Sequence, residues 1–120
     1  MINTKELRIG NAVLSNGVTR VVKSIEVDSV SFNVDYEDDL WHCVDLDCDA
    51  IMITEGHILS LGLKKWKNKK IWSLKGFIIY FKKGTGFCFG RASFRTHVKS
   101  VHQLQNLYFA ITQKELIYNE

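Results

Sequence analysis

The stretch VHQLQNLYFAIT, Val101 to Thr112, decides how this chain folds, and it contains no Asp, Glu, Lys or Arg although the chain is 24% charged. Val101, Leu104, Leu107, Tyr108 and Ile111 recur at helical spacing and define one apolar face. His102, Gln105, Asn106 and Phe109 repeat the same spacing on the opposite side. Ser100 opens the helix with an S-x-x-Q capping pattern that reaches Gln103. A solvated face would carry ordinary charges. Amides and an aromatic there predict a helix covered on both sides, because an amide satisfies buried backbone donors and acceptors without the desolvation cost of a full charge. This helix is therefore expected to be the scaffold on which two sheets pack. A second reading makes the polar stripe a face for a homodimer or another partner.

Working outward, the N-terminal part reads as a β-meander. Ala12–Leu14 is followed by Ser15-Asn16-Gly17, a tight hairpin turn. Val18–Ile25 makes the next strand, with Val21, Val22 and Ile25 as core candidates. After a turn at Val27-Asp28, Ser29–Val34 alternates with Val30, Phe32 and Val34 on one face. Tyr36–Leu40 reads as an acidic loop and Trp41–Leu46 as a fourth strand. Thr54 can cap a short helix containing Ile58, Leu59 and Leu61, with Gly62 as its stop. A second sheet follows: Trp66, an Asn68-Lys69 turn, Ile71–Leu74, Phe77–Phe81, a Gly84-Thr85-Gly86 turn, Phe87–Phe89 and a strand within Ala92–Val98. The tail Gln113–Ile117 suits an edge strand. The expected fold class is α+β over residues 1–120 as a single domain: an N-terminal SH3-like meander, a short helix, a second antiparallel sheet and the C-terminal helix as scaffold.

The 120 residues include no proline and form no repeat or linker. No apolar run approaches the roughly 18 residues that span a bilayer. The opening MINTKELRIGN lacks the apolar core of a signal peptide. The three cysteines, Cys43, Cys48 and Cys88, form no even framework. Reduced thiols, a cytoplasmic location and no membrane association are the expectation.

The net charge of +3 hides a strong asymmetry. Residues 26–55 hold ten acids and no Lys or Arg, whereas residues 56–114 hold twelve bases and no acid. KKWKNKKIW interleaves Lys64, Lys65, Lys67, Lys69 and Lys70 with Trp66 and Trp72, and Lys82 and Lys83 follow. Lysines hold phosphates and exposed aromatics stack on bases, so this hairpin is a candidate surface for RNA or an acidic partner. The competing reading turns the tryptophans inward and leaves the charges for solubility. On the acidic side, Tyr36, Glu37, Asp38, Asp39, Trp41, Asp45 and Asp47 could imitate nucleic acid or dock on a basic groove.

No metal or cofactor site is expected. Asp45, Asp47 and Asp49 start like a calcium loop, but Ala50 stands where the turn needs Gly and Gly56 where a bidentate Glu is needed. His42, Cys43 and Cys48 lack the paired spacing of structural zinc sites. GTGFCFG is not a phosphate loop, and no nucleophile motif is present. A small nuclease could use His97 and His102 with a nearby lysine, although any basic chain with four histidines offers as much.

Three segments, ELRIGNAVLSNG (6–17), ITEGHILSLGL (53–63) and VKSVHQLQNLYFAITQKEL (98–116), resemble a family of small uncharacterised proteins from phages and integrated mobile elements of bacteria. Members open with L-R-I-G-N and end in a V-H-Q-L-Q-N-L-Y-F-A helix. The middle segment departs from the family pattern at Gly56 and His57, and the acidic and lysine-rich stretches lie outside the resemblance. The phage setting implies a non-enzymatic antagonist of host defence, of the anti-CRISPR kind, that binds a host protein or ribonucleoprotein such as a CRISPR nuclease.

Overall fold

The computed structural model describes residues 6–15, 17–25, 29–34, 37–44, 48–90 and 95–118, with residues 24, 29–34 and 37–44 described by backbone alone. The fold class is α+β, as expected, with every strand pair antiparallel. Strands β1 (Ala12–Ser15), β2 (Val18–Val21) and β6 (Cys48–Asp49) form one sheet in the order β2-β1-β6. Strands β3 (Ser24–Ile25), β4 (Ser29–Val34) and β5 (Glu37–Val44) form a second. The third is the largest, with β7 (Lys64–Lys65), β8 (Ile71–Leu74), β9 (Phe77–Lys82), β10 (Gly86–Phe89) and β11 (Thr96–His97) in the order β11-β10-β9-β8-β7. Helices α1 (Glu55–Ser60) and α2 (Val101–Thr112) complete the chain.

Local chemistry explains the turns. The hairpin β1–β2 closes with Ser15 opposite Val18, and Gly17 takes a φ of 79°, which a β-carbon would oppose. Between β8 and β9, Lys75 and Gly76 both have positive φ (49° and 88°), the geometry that matches strand twist in a two-residue turn. Thr54 caps α1 reciprocally: its Oγ1 accepts from the His57 N–H (3.3 Å), and the His57 Nδ1 accepts from the Thr54 N–H (3.2 Å). His57 thus does what Glu or Gln does in an ordinary capping box. Thr54→Ala is expected to cost about 1 kcal/mol in chemical denaturation.

Helix α2 lies between the first and third sheets. Val101, Leu104 and Tyr108 join Ala12 of β1, Ile58 and Leu61 beside α1, and Trp72, Phe77 and Ile79 of the large sheet in one buried cluster. Phe77 stacks on Phe89 at 4.9 Å and meets Tyr108 edge-on at 5.1 Å. On the polar stripe of α2, His102 and Gln105 are buried and Asn106 and Phe109 partly so. Gln105 is 1% exposed, and its Oε1 accepts from the Ala12 N–H (2.9 Å) while its Nε2 donates to the carbonyls of Gly10 (2.9 Å) and Leu116 (3.0 Å). Asn106 donates to the Glu6 carbonyl (2.8 Å) and accepts from Asn11 Nδ2 (2.9 Å). Phe109 is covered by the Arg8 guanidinium, 3.7 Å from the ring centroid. Arg8 in turn pairs with Glu115 at 2.6 Å. One side chain, Gln105, thus ties together the N-terminal segment, α2 and the tail.

Several expectations are corrected. Val18–Ile25 is not one strand: it breaks at Val22–Lys23, where Val22 still pairs with Gly10 and Asn11 while Ser24–Ile25 joins the second sheet. That switch leaves Ile25 exposed, although Val21 and Val22 are buried. Glu37–Leu40 is strand and not loop, because backbone pairing with β4 overrides the poor strand propensity of Asp. β5 is an edge of its sheet, where charge keeps other strands from adding. It ends at Val44, and Asp45, Leu46 and Asp47 lie outside the described residues, as do Asn16, Val27 and Asp28. Of Ala92–Val98 only Thr96–His97 is strand among the described residues. Gln103 accepts from the Lys99 N–H (2.8 Å), so the Ser100 box is only half closed: Ser100 Oγ accepts from the Gln103 N–H (3.3 Å). Ile111 is 56% exposed because the last helical turn extends past the core cluster. Lys114–Tyr118 forms no strand: Gln113 ends the helix with φ 62°, and the following backbone is held by side chains such as Gln105.

Candidate nucleic-acid interface

The strand register arranges the candidate basic residues around an aromatic row. Lys65 stands opposite Trp72, Trp72 opposite Ile79 and Ile79 opposite Phe89, on one sheet face whose Trp72 and Ile79 are buried while Lys65 is exposed at its edge. One two-residue step along the sheet brings the next row on the same face. There Phe81 stands opposite Phe87 on β10, and its N–H binds the Lys70 carbonyl (3.0 Å) on the other side. The first row is covered by the core: Trp72 is 2% exposed. The second row is only partly covered, and Phe81 is 36% exposed. Phe81 and Phe87 meet edge-on at 5.2 Å, and Phe87 tilts against Trp72 at 5.4 Å.

Lysines fringe this row. The Lys70 ammonium sits 5.0 Å from the Phe81 ring centroid and that of Lys65 5.9 Å from the Trp72 ring. Glu55 is the acid at this edge: its Oε2 accepts from the Trp72 indole N–H (3.1 Å) and pairs with Lys65 (3.3 Å). The other lysines of residues 64–83 have no carboxylate partner among the described residues. Two neighbouring hollows share Phe81 and Phe87 as walls. One, of about 160 Å³, is completed by Glu55, Lys65, Lys70 and Trp72. The other, of about 240 Å³, extends past Met52, Thr85 and Gly86 to His97 and Lys99.

Of the residues singled out from the sequence, Lys64 and Lys65 lie on β7, Lys67, Lys69 and Lys70 in the exposed turn before β8, and Lys82 and Lys83 at the end of β9. The two tryptophans divide between the two readings. Trp72 is the inward one, whereas Trp66 is 42% exposed, its Nε1–H donating to Ser73 Oγ (2.9 Å) on the opposite sheet face. Asn68 takes φ 60° in the turn between them. The walls of these hollows include Phe81, Phe87 and Met52, which the lysine-centred reading missed. The signal for Phe81 was the alternation of FIIYF, whose third inward position runs beyond the helix that covers the first two. Glu55 was legible as the last acid before the long basic run.

On the acidic side, Glu37, Asp38, Asp39 and Trp41 lie on β5, described by backbone alone, while Tyr36, Asp45 and Asp47 lie outside the described residues. Among the described residues no group of three His, Cys, Asp or Glu is close enough to hold a metal ion. Cys48 and Cys88 are both buried.

His97 and His102 border the same hollow of about 360 Å³, together with Glu6, Gln103 and Asn106. His102 is 3% exposed; its Nδ1 meets Ser100 Oγ at 3.1 Å, and its Nε2 is shut off from solvent without a partner. A nitrogen sealed in this way does not reach a substrate phosphate, so the geometry lends a His97–His102 pair no support as acid and base. Burial pushes the His102 imidazole below its ordinary 6.5, and the Glu6 carboxylate works weakly the other way. The unfolded chain therefore takes up this proton at higher pH than the folded one. The contribution of neutral His102 to stability is present above about pH 6.5 and is lost progressively as pH drops below it. His102→Gln is expected to lose less stability than the parent between pH 7.5 and 5.5, by up to about 1 kcal/mol with solvent screening, in urea titrations at both pH values.

A larger hollow, about 910 Å³, lies elsewhere, between Leu7–Gly10, the residues Val21, Lys23 and Ile25, and Glu115–Tyr118. Its wall is mainly apolar, and Arg8 and Glu115 neutralise each other there. It offers no convergent set of free polar groups.

No protein-family model matches this chain, and neither a curated protein nor a solved structure matches it. Among the described residues no helix is long and apolar enough to cross a membrane.

Proposed function

We propose that this is a non-enzymatic interaction protein that binds single-stranded RNA through its basic sheet edge. The observation that carries the reading is the partly exposed Phe81–Phe87 row, shared by two hollows and fringed by Lys70 and Lys99, which have no carboxylate partner among the described residues, and by Lys65, which pairs with Glu55. Lysines supply salt-sensitive attraction for phosphates, and aromatic faces supply stacking for unpaired bases. A duplex hides its base faces, so this surface favours single strands.

The resemblance to phage and mobile-element proteins supports a host ribonucleoprotein as the target. On this reading the protein acts in the cytoplasm as an inhibitor of a defence nuclease of the CRISPR type. Residues 26–55, with ten acids and no Lys or Arg, suit the basic protein groove that holds such an RNA. The test is fluorescence anisotropy of a labelled single-stranded RNA and of the same sequence as a duplex, at 50 and 300 mM salt. The single strand is expected to bind more tightly, and both to weaken steeply with salt. No binding of either at 50 mM would sink the proposal.

A further inference from the structure

We infer that the hollow at Glu55 reads one unpaired base and selects an amino-bearing base such as cytosine over uracil. This rests on the proposed RNA-binding surface and assigns a specificity to it. Glu55 is oriented from behind: Trp72 Nε1–H and the Lys65 ammonium both engage Oε2. Among the described residues Oε1 has no hydrogen-bond partner, and the side chain remains 43% exposed at the mouth of a hollow lined by Trp72, Phe81 and Phe87. A fixed carboxylate oxygen beside an aromatic surface is an acceptor waiting for an N–H.

A base stacked on Phe81 or Phe87 turns one edge toward that oxygen. Cytosine projects its exocyclic N4 amine, the donor that Glu and Asp read in nucleic acids. Uracil projects carbonyl oxygens, with its single N3–H recessed between them, and meets the carboxylate with like partial charge. Lys70 is exposed and held only by the ring face, 5.0 Å away, so it can move to the adjoining phosphate and free that face for the base. Lys65 stays with Glu55 and limits the local negative charge that would otherwise repel the strand.

The test compares the affinities of labelled octanucleotides, oligo(C) and oligo(U), at pH 7.5 and about 100 mM salt. The two pyrimidines present similar rings, so their ratio reports the edge at which they differ, the N4 amine and N3 acceptor of cytosine against the O4 carbonyl and N3–H of uracil. The parent protein is expected to prefer oligo(C) about tenfold. Glu55→Gln keeps an acceptor for Trp72 but turns a donor NH2 toward the base, so it is expected to lose the preference for oligo(C) or to reverse it toward oligo(U). Equal binding of oligo(C) and oligo(U) by the parent overturns this inference and leaves the RNA-binding surface standing. A preference that survives in Glu55→Gln overturns the role of Glu55. No binding to either strand overturns both the inference and the function beneath it.

Discussion

Gln105→Leu is expected to lower the unfolding free energy by about 3–5 kcal/mol, measured by denaturant titration. The substitution roughly conserves volume, so a cavity is not the cause. It orphans the Ala12 N–H and the carbonyls of Gly10 and Leu116, each now 2.9–3.0 Å from the amide. Each buried, unpaired group costs about 1–3 kcal/mol, and relaxation keeps the sum below three times that. Against a typical domain stability of about 5–15 kcal/mol, the loss is large enough to unfold much of the protein at 37 °C. Gln103→Ala, on the exposed side of the same helix, removes one bond to the Lys99 N–H and is expected to cost about 1 kcal/mol or less. If the two variants lost equal stability, Gln105 would not be the tie between the N-terminal segment, the helix and the tail.

The second large effect concerns binding. Reversing Lys67, Lys69 and Lys70 together to Glu is expected to weaken single-stranded RNA binding by about 10²-fold or more near 100 mM salt. The slope of log K against log salt should fall by about 2, from roughly 0.7 per lost phosphate contact on a single strand. Stability should hardly change, because these side chains are exposed and make no ion pair among the described residues. Unaltered affinity in the reversed variant would move the interface off this turn. An unchanged melting temperature with lost binding separates the surface from the scaffold.

How much of this was legible in the sequence depended on the range of the interactions. The helix 101–112 was readable because both of its faces carry a local period, and the amides on the second face announced their buried backbone partners. Which backbone groups those were could not be read: Gly10 and Leu116 meet Gln105 only through the fold. The capping residues Thr54 and Ser100 and the hairpin that brings Ser15 opposite Val18 were equally local. The acids of Glu37–Leu40 misled because propensity says loop, whereas pairing with Ser29–Val34 is a tertiary fact. Ile111 misled for a related reason, since periodicity gives the face but not the point where the cover stops.

The candidate site shows the same division. The lysines of residues 64–83 declared themselves by composition, but which tryptophan turned inward was settled by strand register. Phe81 belongs to the apolar alternation of its strand and becomes a surface only because the sheet outruns the helix. Glu55 acquires its role from Trp72 and Lys65, whose contacts the chain order does not disclose.

Ultraviolet crosslinking of a bound single-stranded RNA, followed by mass-spectrometric mapping of the joined peptides, tests the central claim most directly. Stacking on the sheet edge predicts crosslinks at Phe81 and Phe87, with a second group at Trp66, and their loss when Lys67, Lys69 and Lys70 are reversed to Glu. Crosslinks confined to residues 6–25 or 101–118, with none on the large sheet, would contradict it.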